Sequence, residues 1–128
     1  MATDTTRNLR RELLAAARRG DVAAQYDLWD YFPLQKESLR WLQKAANSGH
    51  AEAQLALAEH FDFDPPRNGR RALRWYRAAA RQGVAEARVL LAEHLRDLSS
   101  ATGEDRREAF GWLLAAARQN NPDAQLDL

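Results

Sequence analysis

The sequence predicts an all-α protein built from repeated helix pairs, a short α-solenoid, and three observations carry that expectation. One pattern recurs four times, as ELLAAARRGDVAAQY (12–26), WLQKAANSGHAEAQL (41–55), WYRAAARQGVAEARV (75–89) and WLLAAARQNNPDAQL (112–126). Helix formers dominate: Gly 6 and Pro 4 total only 10 of 128 residues, while Ala, Leu, Arg, Glu and Gln abound. No segment sustains the alternation of a half-buried strand.

The four copies align without gaps. Their first position (Glu12, Trp41, Trp75, Trp112) recurs after 29, 34 and 37 residues. The variation falls in the connecting segments, where insertions are tolerated. An incoming helix at about 6–19 ends at Gly20, and equivalent helices, here termed B helices, span about 36–48, 69–82 and 105–119. Gly20, Gly49, Gly83 and Asn120 close them, being the residues best able to take the left-handed conformation after a helix. The following A helices span about 21–31, 50–61 and 84–96, with a stub from 122. Asp21 is the expected N-cap for the first, and Asn121-Pro122 places a cap before Pro at a first helical position. The stretches DFDPPRNG (62–69) and DLSSATGED (97–105) carry turn residues and read as connections.

One helix pair cannot bury its apolar face alone, so neighbours are expected to stack into one core. The paired alanines Ala45-Ala46, Ala79-Ala80 and Ala116-Ala117 permit close helix approach. Trp41, Trp75 and Trp112 are expected to be mostly buried beside them. The whole length, 1–128, reads as one solenoid domain with units at approximately 6–31, 36–61, 69–96 and 105–128, the last incomplete. An unfinished final unit leaves the preceding B helix poorly capped, and weak self-association through that end is expected.

The pattern resembles the Sel1-like repeats, relatives of the tetratricopeptide repeats, over roughly residues 10–128. The resemblance rests on AEAQ (51–54), AEAR (85–88), PDAQ (122–125) and ALRWYRAAARQG (72–83), the last read against A-x-x-W-Y-x-x-A-A-x-x-G. Leu57-Ala58 and Leu91-Ala92 stand where the family usually has Leu-Gly, and Pro65-Pro66 interrupts a turn that is usually Gly-rich. The resemblance implies a right-handed α-α superhelix whose A helices line a concave side, and a role as scaffold or regulator in protein complexes.

Chemistry is sparse. Zero cysteines exclude disulfides, a Cys-based zinc site and a thiol nucleophile. There is no glycine-rich phosphate loop, H-E-x-x-H or Gly-x-Ser-x-Gly elbow, and no nucleophile–base pair, so a hydrolase reading has little support. His60 and His94 close matched Ala-Glu-His triplets, but adjacent helical residues point apart and duplication explains the match. Half-buried histidines are the better reading than metal ligands; no metal or cofactor is expected. No apolar run spans a membrane and no signal-peptide core opens the chain, so a cytoplasmic location is expected. The excess of Arg over Lys, 17 to 2, suits a GC-rich, bacterial genome.

Charge is more informative. The net charge is +1, yet residues 66–88 hold seven Arg against Glu86, a net of +6, leaving −5 for the rest. Arg70, Arg74, Arg77 and Arg81 recur at helical spacing as one exposed stripe. Nucleic-acid binding through that stripe is weakened by the near-neutral total and by sparse basic residues (Arg40, Lys44) on the neighbouring B helix. A solvated outer face fits better.

The A helices carry the opposite sign. Asp30, Glu59 and Glu93 align at one position, four residues after Tyr26, Leu55 and Val89 at another. Both positions lie outside the buried phase of Ala53, Leu57 and Phe61. Trp29 adds an aromatic beside the first of them, whereas Leu28 and Phe32 are in the core register. Tyr26, Trp29, Asp30, Leu55, Glu59, Val89 and Glu93 are therefore the expected partner-binding strip, suited to a protein or peptide with a basic surface and an apolar anchor. The expected function is a non-enzymatic adaptor, scaffold or regulator. The alternative within the same class is an immunity- or antitoxin-type inhibitor of one dedicated partner.

Overall fold

A computed structural model describes residues 4–97 and 102–120. Among these there are seven helices and no strand: α1 (Asp4–Arg18), α2 (Val22–Tyr31), α3 (Ser38–Asn47), α4 (Ala51–Phe63), α5 (Gly69–Arg81), α6 (Ala85–Asp97) and α7 (Gly103–Asn120). The expected A-helix stub and the Asn121-Pro122 cap lie outside the described residues. Two compact units divide between Leu57 and Ala58, inside α4.

One clasp is built three times. Gly20, Gly49 and Gly83 have φ of 96°, 93° and 94°, the left-handed conformation expected at a helix end. Each glycine N–H returns to the carbonyl three residues back (Ala17, Ala46, Ala80), and the next N–H returns five residues, to Ala16, Ala45 and Ala79. That is a Schellman closure. The fourth residue of each AEAQ-type motif then reaches back to the same carbonyl. Gln25 donates to Ala17 O at 3.2 Å, Gln54 to Ala46 O at 3.1 Å, and Arg88 through Nε to Ala80 O at 3.1 Å. The recurring Gln or Arg thus locks each helix to the one before it.

Caps set the helix starts. Asp21 accepts from Ala24 N at 3.1 Å, as expected of an N-cap. His50 takes the same role for α4 with Nδ1 on Ala53 N at 3.1 Å, and Asn68 caps α5 through Arg71 N at 3.1 Å. Thr102 and Asp105 exchange side-chain and backbone bonds at 3.1 and 2.9 Å, a capping box that begins α7.

In the first unit α1 packs on α2 and α2 on α3, around Ala17, Ala24 and Leu28 with Leu13, Leu14, Phe32 and Trp41 at its margin. Buried Ser38 donates its hydroxyl to Phe32 O and Leu28 O, closing the end of α2 and fixing where α3 begins. In the second unit α5 packs on α6 and α6 on α7. Tyr76, at 0% exposure, is the largest fully buried side chain among the described residues.

The repeated tryptophans are mostly buried, as expected, but none is fully enclosed. Trp41, Trp75 and Trp112 are all half-buried, and it is the next residue, Leu42 or Tyr76, that is fully enclosed. The reason is helical phase. Leu42 and Tyr76 lie three and four residues before the buried pairs Ala45-Ala46 and Ala79-Ala80, on the core stripe, whereas each Trp stands about 100° round the helix. The tryptophans hold cations instead: Lys44 lies 5.3 Å from the Trp41 ring, Arg74 5.9 Å from Trp75 and Arg88 5.9 Å from Trp112.

Candidate partner-binding surface

The acidic positions on α4 and α6 meet in a groove. Its lining is Asp62, Phe63, Leu90, Glu93, His94 and Asp97, with a volume of about 220 Å³. Asp62 and Phe63 belong to α4, which runs two residues further than the 50–61 the sequence suggested, and Asp97 belongs to α6 rather than to the connection. The extension is held from outside the helix. Tyr76 donates its hydroxyl hydrogen to Asp62 Oδ2 at 3.0 Å, and His94 Nε2 lies 2.8 Å from the same oxygen. The rings of Tyr76 and His94 are 5.4 Å apart. Burial, followed by the bond to Asp62, pushes the Tyr76 hydroxyl well above its ordinary pKa.

The matched His60 has a different partner, Asp64 Oδ2 at 2.8 Å on its own helix. The two triplets therefore serve different pairings, one within α4 and one between α6 and α4, and among the described residues no three His, Cys, Asp or Glu side chains group as metal ligands.

Of the expected strip in this unit, Glu93 is exposed at the groove rim, Val89 is half-buried, and Glu59 is half-buried rather than lying on the surface. Burial raises the Glu59 pKa, with the nearby charges of Glu86 and Asp62 adding to it. Phe63, 59% exposed, supplies an apolar side chain beside three carboxylates. Sequence reasoning missed Asp62, Phe63 and Asp97, although Phe63 follows Glu59 and Asp97 follows Glu93 by four residues. Continuing the helical spacing by one turn would have found both.

In the first unit Tyr26 is half-buried and stacked on His50, ring centres 4.8 Å apart at 27°. Asp30 is exposed, Trp29 and Leu55 half-buried, and Tyr31 61% exposed. Asp27, one turn before Tyr31, has its pKa raised, first by burial and then by Asp30 and Asp21, with His50 opposing. Asp30 thus belongs to a local acidic cluster that the alignment of positions did not include.

The basic stripe of α5 is not uniform. Arg70, Arg74 and Arg81 are exposed, but Arg77 is half-buried and bidentate to Glu108 of α7, at 3.1 and 2.9 Å. One of the four expected free guanidinium groups is therefore structural.

Short helix pairs that repeat one closure and one side-chain clasp define a helical-repeat protein. The Sel1 repeat model matches residues 13–50, 51–84 and 85–121, and the chain belongs to the Sel1 repeat family. It is similar to the crystal structure of a protective antigen present in uropathogenic Escherichia coli strains, which displays an SLR fold. That likeness has 25% identity and a TM-score of 0.74, covering 86% of this chain but only 25% of the antigen. It is also similar to a Sel1 repeat protein from Oxalobacter formigenes, at 28% identity and a TM-score of 0.72, covering 87% of this chain and 90% of that one. No curated protein matches the chain. Sel1 repeats generally mediate protein–protein interaction and are typically non-catalytic. No described helix is long and apolar enough to cross a membrane.

Proposed function

We propose that this protein is a non-enzymatic adaptor or regulator that captures a protein or peptide with a basic surface and an apolar anchor, on the exposed faces of its A helices. The observation that carries this reading is the groove of α4 and α6, where Glu93, Asp97 and Asp62 surround the exposed ring of Phe63. Carboxylates there steer a cationic partner, and the Phe63–Leu90 floor receives one apolar side chain. Glu59 and Val89, four residues before Phe63 and Glu93 on the same helices, are proposed to extend the strip. In the first unit, Tyr26, Trp29, Asp30 and Leu55 repeat the pairing of apolar and acidic side chains, and are proposed to bind on the same principle.

The test is a partner recovered by affinity capture, with association measured against the native chain and against Glu93→Lys combined with Asp97→Lys. Both residues are exposed, so the fold is retained. Slower association with a shallower salt dependence supports the groove. Unchanged rate and salt response would remove it as the site. Capture of an inhibited toxin-like enzyme as the single partner would narrow the role to a dedicated inhibitor.

A further inference from the structure

A second groove lies on the opposite kind of helix, between α5 and α7. Arg77, Arg81, Glu108, Gly111, Trp112 and Ala115 line it, with a volume of about 370 Å³. Its chemistry departs from the repeat in a specific way. In α3 the residues flanking Trp41 are Arg40 and Lys44, and Lys44 covers the ring at 5.3 Å. In α5 the residue before Trp75 is Arg74, 5.9 Å from that ring, and the residue three after it is Ala78. In α7 the corresponding positions are Gly111 and Ala115; the alanine is shared with α5, so the glycine is what departs, and Trp112 has no long side chain of its own helix beside it at these two positions.

Gly111 is unfavourable where it stands. It is exposed in the middle of the 18-residue α7, where glycine is the poorest helix former after proline. A Cβ there would meet nothing within 4 Å, so no neighbouring side chain demands the glycine. What its absence of a side chain provides is room for another molecule to approach the helix backbone beside Trp112.

Charge selects the visitor. Glu108 is neutralised by the bidentate Arg77. Arg81 makes no ion pair among the described residues, and Arg88, 5.9 Å from the Trp112 ring, bonds only neutral groups there, Ala80 O and Gln119. Within the lining, the Arg77 charge is taken up by Glu108 and Arg81 alone is left without an ion pair among the described residues, while Arg88 stands at the Trp112 ring outside the lining.

We propose that this groove docks an acidic peptide segment carrying one apolar anchor, with the anchor against Trp112 over Gly111 and a carboxylate of the segment on Arg81. The bound segment is opposite in charge to the partner of the A-helix groove, so the two surfaces can be occupied by different segments. A peptide is favoured over nucleic acid because the pocket is the size of one or two side chains.

The probe is the blocked peptide Glu-Asp-Phe-Glu-Asp, titrated into the isotopically labelled full chain while the tryptophan indole and backbone amide signals are followed. Saturable shifts are expected at the Trp112 indole and the Gly111 amide, with the Trp41 indole unmoved. Gly111→Leu fills the space while improving helix propensity, so its thermal midpoint is expected to equal or exceed that of the native chain as peptide affinity falls about tenfold or more. Arg81→Gln is expected to weaken binding severalfold. The proposal is overturned if the peptide leaves Trp112 unmoved, if Gly111→Leu binds it as the native chain does, or if a Lys-Arg-Phe-Lys-Arg peptide or an oligothymidylate shifts the same signals equally.

Discussion

Tyr76 donates its hydroxyl hydrogen to Asp62 at 3.0 Å, tying the most enclosed ring of α5 to the last turn of α4. Asp62 also faces His94, so Tyr76→Phe removes one of two partners and is expected to cost about 1 kcal/mol. Tyr76→Ala empties a fully buried site and is expected to cost about 3–5 kcal/mol. Trp75→Ala, at a half-buried position, is expected to cost less than Tyr76→Ala. Urea midpoints of the three variants give the ranking, and a larger loss at Trp75 would contradict the helical phase described above.

The clasp at Ala46 has a similar test. Gln54 is 7% exposed, and its amide is a side-chain donor to that carbonyl. Gln54→Ala is expected to lower stability by about 1–3 kcal/mol, for the lost bond and the space left behind. Arg88→Gln places at Ala80 the residue type that Gln25 and Gln54 use, so the clasp is expected to survive there. Denaturation curves of both variants check the contrast.

Two glycines are expected to respond oppositely to the same change. Gly49→Ala forces a side chain into φ +93° and is expected to cost about 1–2 kcal/mol, a backbone penalty alone because the new methyl meets nothing within 4 Å. Gly111→Ala, in helical backbone, is expected to add about 0.5–1 kcal/mol. Thermal melts that show the same sign for both would refute the assignment.

Glu59 makes stability depend on pH in an uncommon direction for a carboxylate. Its folded pKa lies above the ordinary 4.5, chiefly through burial, so between that value and its raised pKa the folded chain binds more protons than the unfolded one. By linkage, this group's contribution falls as pH rises through that window and stays unfavourable at neutral pH. Glu59→Gln is expected to raise the neutral-pH melting temperature and to flatten the pH profile above 4.5. Asp27→Asn is expected to act in the same sense from 3.8 upward, since burial and Asp30 raise its pKa too. Melts across the acid range measure both.

The helix order, the Gly20, Gly49 and Gly83 turns and the Asp21 cap were legible because each depends on backbone conformation and near neighbours. The outer limit of α4 was not. Asp62 and Phe63 precede a Pro-Pro pair and read as a connection; what keeps them helical is Tyr76 and His94, which arrive from other helices. The same separation divides the site. Glu93 was readable from its alignment with Glu59, but alignment does not show that Glu59 is half-buried while Glu93 stands at the rim of a groove. The register of Trp41 and Trp75 beside the alanine pairs points to burial, yet one step of helical rotation gives the fully enclosed place to Leu42 and Tyr76.

The three clasps also bear on how the chain folds. Each joins residues eight apart, as Gln25 to Ala17, Gln54 to Ala46 and Arg88 to Ala80. Loops of about ten residues close within about 10–100 ns, and contacts of short sequence separation favour rapid folding. A nucleus can therefore start at any of three turns, as in other repeat proteins, and none is indispensable. Loss of one clasp leaves two other starting points, so its removal should shorten the lifetime of the native state more than it delays its formation.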